Sequence, residues 1–270
     1  MDHDQISALL EFNLLTAASN YDLRNPAERR RSHDDLIALF YDIAEAVKPK
    51  LFVEAGAFNA QASRDIKSRL KKCRTVAFEA NPYNFQLWTG RHDFQQMGIE
   101  YLHQALAETP GEITFKVQKA RAGEELEKTT GRSSLLSRAD PSYEYEDVTV
   151  PATSLDDFFS ESTYTSMAWV DVEGACKPVL SGGSSFLRSC AAVFIEVEEK
   201  AIWDGQWLAG DVSNFMRASG LFPLARDFES RSRVQYNLIF LRHEYFSHPY
   251  VRAKYAEYCS RSRFGSSPIS

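Results

Sequence analysis

Six acidic side chains stand where apolar runs end, and their placement limits the chemistry open to this chain. The run Leu51-Phe52-Val53 passes into Glu54-Ala55-Gly56-Ala57-Phe58-Asn59-Ala60, which reads as a buried strand entering a small-residue turn. In a doubly wound sheet that first turn lies beyond the strand's carboxyl end, where a cofactor can approach the backbone. Gly56 lacks a Cβ, and Ala55, Ala57 and Ala60 keep the wall low. Only one glycine of the G-x-G-x-x-G dinucleotide fingerprint is present. Glu54 would repel a pyrophosphate and welcome a ligand with a cationic amino-acid end. A tight turn with no ligand fits the same residues. The next apolar run, Thr75-Val76-Ala77-Phe78, ends in Glu79, 25 positions after Glu54. That is close to the roughly 20-residue offset at which an acid meets ribose hydroxyls. A carboxylate can accept from both hydroxyls of a diol, which is why an acid suits the position.

A third acidic end is Asp171-Val172-Glu173-Gly174, after Ala168-Trp169-Val170, and a fourth is Glu196-Val197-Glu198. Carboxylates at i and i+2 share one face if extension continues. Asp171 is the first choice for a proton acceptor or an acceptor-orienting group, and Glu173 the second. A purely structural acid bonded to loop amides is the alternative. Four carboxylates on one rim could also hold a divalent cation, although a metal-free site is the preferred reading. His103, near Gln104-Ala105, could serve as an acceptor-side base, although a packed or solvent-exposed imidazole is the preferred reading; His243 and His248 lack a partner pattern. Trp203 and Trp207 fit either a stacking wall for a sugar or core packing.

The elements that must position these residues follow from the periodicities. Residues 5–48 read as helical in two segments. Ile6, Leu9, Leu10 and Leu14 mark the first; Leu36, Leu39, Phe40, Ile43 and Val47 mark the second, with Ser32 as its candidate cap. From residue 49 strands and helices alternate, as in βαβ units of a mostly parallel sheet. The strand runs are 51–53, 75–78, 99–106, 168–172, 192–197 and 236–241. Helices are expected over 61–70, 83–97, 179–189 (weakened by Gly182-Gly183) and 211–219, the last closed by Gly220. Ile113 to Val117 alternates like an antiparallel strand, and 148–150 forms another. Residues 119–147 are polar without a period, so they are expected to form a functional loop, a candidate acceptor lid, or a mobile segment. The chain divides into a helical extension (1–48), one domain (49–259) and a frayed tail (260–270).

Bulk composition excludes other classes. The chain has 270 residues, 44% hydrophobic and 25% charged, with net charge −6. No basic tract offers the footprint needed for a phosphate backbone, so nucleic acid is not an expected partner. Arg29-Arg30-Arg31 sits among Glu28, Asp34 and Asp35, as on a solvated helix face. Cys73, Cys176, Cys190 and Cys259 have no metal-ligand spacing and suit reduced thiols in a cytoplasmic protein. No apolar leader and no membrane-length apolar run is visible.

Taken together, Val53-Glu54-Ala55-Gly56-Ala57, Phe78-Glu79-Ala80-Asn81-Pro82, Ser154-Leu155-Asp156-Asp157-Phe158 and Val170-Asp171-Val172-Glu173-Gly174-Ala175 resemble the FkbM-type methyltransferases. Gln104-Ala105-Leu106-Ala107-Glu108 and Ile195-Glu196-Val197-Glu198 fit the same pattern. The resemblance implies a Rossmann-like class I methyltransferase fold: α/β, a mostly parallel central sheet and flanking helices. It implies S-adenosylmethionine as cofactor, and O-methylation of a glycan or another small-molecule hydroxyl. By position, Glu54, Gly56 and Ala57 would line the methionine end. Glu79, Ala80 and Asn81 would hold the ribose, and Gln104 and Ala105 would lie beside adenine. The chain departs from the pattern at Phe58, at Ala60 (usually glycine) and at Trp169 (commonly lysine). Two rivals stay open: a nicotinamide-dependent oxidoreductase, and a binding or scaffold protein that keeps the fold without transfer activity. Neither the acceptor nor the oligomeric state is readable.

Overall fold

The computed structural model describes residues 20–160, 164–230 and 234–260. The expected first helical segment (Ile6 to Leu14) and residues 261–270 of the tail lie outside the described residues. The first described helix, α1 (Pro26–Val47), starts earlier than Ser32 suggested. Asn25 accepts from the Ala27 amide and Pro26 fills the first turn, the arrangement that needs least from a helix start. Ser32 is instead buried inside the helix, bonding the Arg29 carbonyl and the Phe228 amide.

The chain continues through β1 (Leu51–Ala55), α2 (Gln61–Arg69), β2 (Arg74–Glu79), α3 (Pro82–Thr89), α4 (Phe94–Met97) and β3 (Ile99–His103). The expected helix over 83–97 is therefore two. The break follows Gly90, and Asp93 caps the second piece. The expected strand over 99–106 is also divided: after Gln104, β4 (Ala105–Leu106) joins a different sheet. Next come β5 (Gly111–Arg121), β6 (Glu124–Glu125), β7 (Tyr143–Thr153), α5 (Leu155–Phe158) and β8 (Ser166–Val170). Short helices α6 (Cys176–Ser181) and α7 (Ser184–Ser189) replace the single one expected. A Cβ on Gly182 would lie 2.3 Å from the Ala107 carbonyl oxygen, so only glycine fits between the two helices where the chain leaving β4 passes. The chain ends with β9 (Cys190–Glu198), α8 (Ala209–Ala218), β10 (Leu221–Arg226), β11 (Gln235–Arg242) and α9 (Pro249–Ser260). Gly220 takes φ +78, as its place after α8 predicted.

Seven strands form the main sheet in the order β10-β11-β9-β8-β1-β2-β3. All run parallel except β11, which is antiparallel to both neighbours. Strand order reverses between β1 and β8, so a crevice opens beyond their carboxyl ends. Successive side chains point to opposite faces, and both faces are covered. Val53, Phe78, Val170 and Ile195 pack with α6, α7 and α8. Phe52, Met167 and Phe194 pack under α1 and α9, against Leu36, Phe40, Ile43 and Tyr258. A second sheet, β4-β7-β5-β6, is built on the long antiparallel pair β5 and β7. The polar segment 119–147 is accordingly shorter as a loop, because both its ends extend these two strands.

Candidate active site

The turn after β1 is knitted to its neighbours by its own backbone. The Gly56 and Ala57 amides both donate to the Phe78 carbonyl, at 3.0 and 2.9 Å, and Asp171 donates its amide to the Ala55 carbonyl at 3.0 Å. Gly56 has φ +76, and a Cβ there would sit 1.8 Å from the Asp171 carbonyl oxygen. The missing methyl therefore makes room for the chain leaving β8, while Gly56 also lines the cavity at the crevice. Phe58 and Ala60 also take left-handed conformations, at φ +46 and +54. These bends bring the start of α2 back over β1. There the buried Glu54 carboxylate accepts from the amides of Ala62 and Ser63, at 3.3 and 2.8 Å. Burial pushes Glu54 up to about 7, against the pull of those amides. Glu54 thus caps a helix, and Ala57 packs with Ala77, Phe94 and Tyr101; neither lines the cavity at the crevice.

That cavity, with the solvent-open space at its mouth, takes in about 550 Å³. Its lining takes in Gly56, Glu79, Ala80, Asn81, Gln104 and Ala105 of the expected cofactor residues, and both Asp171 and Glu173. The Glu79 carboxylate accepts from the amides of Phe58 (2.6 Å) and Asn81 (2.7 Å). Burial still pushes it up to about 7. Beside it stands Asn84, which sequence reasoning missed. Its Nδ2 donates to the Thr130 carbonyl at 3.0 Å, whereas its buried Oδ1 has no hydrogen-bond partner among the described residues. An asparagine one turn into α3, on the face toward the sheet, was the signal available. The far wall is apolar, with Phe78, Leu106, Phe115, Leu135 and Val179.

The loop between β6 and β7 closes one side. Asn81 Nδ2 donates to the Lys128 carbonyl at 2.9 Å, and Ser134 Oγ to the Glu173 carbonyl at 2.7 Å. Thr130, Gly131, Ser133 and Leu135 consequently face the cavity. His103 does not: its ring stacks on Phe85 and its Nε2 lies 3.2 Å from the Ala80 carbonyl.

At the opposite end β8 runs out into Asp171-Val172-Glu173-Gly174. Glu173 at φ +50 and Gly174 at φ +79 turn the chain toward α6. Extension does not continue, yet carboxylate oxygens of Asp171, Glu173 and Glu196 all lie within 4.8 Å of one another. Glu196 accepts from Gln235 Nε2 at 2.6 Å, and Glu198 from Gln206 Nε2 at 3.0 Å. Arg138 lies 3.5 Å from Glu173. Desolvation raises all four acids. Their mutual repulsion adds to this for Glu173, Glu196 and Glu198, while Asp171 is held back by its hydrogen bond with Glu196 and by the charge of His33. His33, on α1, is the other residue missed; its Nδ1 meets the buried Asp227 carboxylate at 2.8 Å. Trp203 is fully buried under the Arg138 guanidinium (3.9 Å), and Trp207 packs on Phe215. Trp203 therefore belongs to the core and not to a sugar wall.

The profile described as "Methyltransferase FkbM domain" matches residues 53–229. No curated protein matches the chain. Solved structures similar to it include a magnesium protoporphyrin IX methyltransferase from Synechocystis with bound S-adenosylmethionine. That likeness has 10% identity and a TM-score of 0.44, covering 82% of this chain and 84% of the other. Another is the Burkholderia thailandensis 1,6-didemethyltoxoflavin-N1-methyltransferase, at 11% identity and TM-score 0.38, covering 90% and 91%. A third is human N-acetylserotonin methyltransferase, at 8% and 0.36, covering 81% and 57%.

Proposed function

The chain belongs to the FkbM methyltransferase family, and from that premise we propose that it moves the methyl group of S-adenosylmethionine to a hydroxyl oxygen of a glycan or other small-molecule acceptor. The observation that carries the cofactor is the disposition of hydrogen-bonding groups around the β1 turn. The amides of Gly56, Ala57, Phe58, Ala62 and Ser63 are already engaged by Phe78, Glu79 and Glu54. A pyrophosphate would find those donors used and carboxylates in their place, which disfavours a nicotinamide dinucleotide. A nucleoside with a cationic tail finds the complement. Glu79 and the free Asn84 Oδ1 offer acceptors for the ribose hydroxyls, and Phe78, Leu106 and Phe115 offer an apolar slot for the base. Gln104 and Ala105 close that slot, and Gly56, Asp171 and Glu173 face the charged end.

S-adenosylmethionine, when bound, supplies a sulfonium-activated methyl group. What this chain must add is alignment and a place for the acceptor's proton. Asp171, at the cavity end of β8, is assigned to orient the acceptor hydroxyl and take its proton, with Glu173 next to it. The test is a transfer screen with isotope-labelled S-adenosylmethionine against metabolite and glycan panels. Glu79→Ala is expected to weaken cofactor binding about tenfold or more, the loss of a buried charged acceptor. Asp171→Asn should keep that binding and lower turnover by roughly 10²-fold or more. Calorimetric binding of NAD without binding of S-adenosylmethionine would overturn the reading. Transfer only to nitrogen would overturn the oxygen acceptor alone.

A further inference from the structure

We infer that the amino-terminal end of the main sheet is a docking face for the anionic surface of a lipid bilayer. Strands β1, β2, β3, β8 and β9 run parallel, so the turns that enter them stand together, at the end of the sheet opposite the cavity. Lys48 and Lys50 precede β1, Lys71 and Lys72 precede β2, and Arg188 precedes β9; all five are exposed. They arrive from separate turns, so no basic tract marks them in the sequence. Glu45 and Glu100, beside these turns, are already engaged, by Arg69 at 2.6 Å and by Arg74 at 2.7 Å. Lys48, Lys50, Lys71 and Lys72 are left without an ion pair among the described residues. The acidic strand ends lie at the other pole, so a chain of net charge −6 keeps one end basic.

A separate observation concerns apolar surface at the same end. Two adjoining depressions share Lys71: one runs over Pro49 and Leu70 between the lysines, the other over Met97 and Ile99 beside Lys67. Met97, at the entry to β3, is 41% exposed, and Tyr164, at the entry to β8, is 61% exposed. They are two of the three exposed large hydrophobic side chains among the described residues. The Lys50 amide donates to the Thr165 carbonyl at 2.9 Å, which sets Tyr164 close to Lys50. Exposed apolar side chains amid unpaired lysines fit a bilayer interface, where tyrosine sits at headgroup level and lysine meets the anionic surface. The turns end side by side rather than along a groove, which suits a flat surface better than a nucleic acid strand. Docked in this way, the protein turns its cavity away from the bilayer, and ligands enter it from water.

Docking needs neither cofactor nor acceptor, so the test uses the full-length protein alone. It is sedimented with vesicles of phosphatidylcholine, or of phosphatidylcholine mixed with phosphatidylserine. Binding is expected to the mixed vesicles only, and should be lost at about 1 M salt, where screening shortens to about 3 Å. Each lysine near an anionic surface raises partitioning about fivefold, so Lys50→Gln, Lys71→Gln and Lys72→Gln together should weaken binding roughly a hundredfold. Tyr164→Ser should weaken it several-fold with the charge unchanged. Lys119→Gln, Arg121→Gln and Lys200→Gln, which together remove the same charge elsewhere, should leave it as it was. Equal binding to both kinds of vesicle, binding to neither, or binding that survives the three lysine substitutions overturns the inference. So does capture of duplex DNA without capture of vesicles.

Discussion

Gly56 shows how a single position can be fixed by its neighbours on two counts. Its φ of +76 favours glycine, and the Asp171 carbonyl fills the space where a side chain would begin. Gly205 has a similar φ of +73, but nothing lies within 4 Å of where its Cβ would stand. Gly205→Ala should therefore cost about 1 kcal/mol, the left-handed penalty alone. Gly56→Ala should cost about 3 kcal/mol or more, because backbone must also move; denaturant titration of both variants checks the difference. Glu79 yields a prediction of another kind. Its carboxylate, pushed up to about 7, faces Asp171, Asn84 and the amides of Phe58 and Asn81. Protonation removes acceptor capacity toward a diol, so S-adenosylmethionine should bind more tightly at pH 8 than at pH 6. The gain should be several-fold and bounded by about tenfold per pH unit. Glu79→Gln should flatten that dependence in calorimetry. Glu79, Asp171 and Glu173 were readable because each ends an apolar run in the family's order. The cap made by Glu54 was not, since it depends on left-handed Phe58 and Ala60, residues whose types carry no such signal. Asn84 escaped because a helical polar residue looks like any solvated one until the sheet is placed beside it.

Among the elements, the strands of the parallel sheet were the most legible. Burial on both faces makes them short, uninterrupted apolar runs. The hairpin β5–β7 was seen only in its middle, because its outer residues alternate between solvent and a small cluster around Phe115, Val117 and Val150. Strand β10 went unseen behind Pro223, which an edge strand tolerates, and α9 because only Val251 and Tyr258 of its residues are buried. Trp169, where the family commonly has lysine, finds its reason in α1. Its ring stacks on Phe194 at 3.7 Å, and Phe40 meets both rings edge-on at 5.7 Å. Phe40→Ala should cost about 3–5 kcal/mol in chemical unfolding, far more than a solvated helix would lose. In the loop over the cavity, Ser134 is 1% exposed and ties the chain to the Glu173 carbonyl. Ser134→Ala should speed proteolytic cleavage within residues 126–142 and weaken cofactor binding about 5- to 150-fold, the roughly 1–3 kcal/mol of a lost buried partner.

For the whole molecule, the buried acids set a direction for stability against pH. Glu54 and Glu79 titrate near 7 when folded, against an ordinary 4.5. Between those values the folded chain holds more protons than the unfolded one, so stability falls as pH rises through that window and levels off above it. Each such shift corresponds to roughly 3 kcal/mol. The melting temperature of the ligand-free protein should accordingly be higher at pH 5.5 than at pH 8, by scanning calorimetry; a rise instead would show that these acids are ionised at little cost. No helix of the described residues is long and apolar enough to cross a membrane. The bond from the Asp171 amide to the Ala55 carbonyl, and the glycine that lets those two chains touch, bear on how such a protein can change over generations. On the assignment proposed above, the donor and acceptor ends of the cavity share one seam of backbone. Lineages that acquire a new acceptor by reshaping residues 171–175 must pass variants still compatible with the donor turn. Selectivity should therefore drift at the hairpin, which can vary without disturbing that seam.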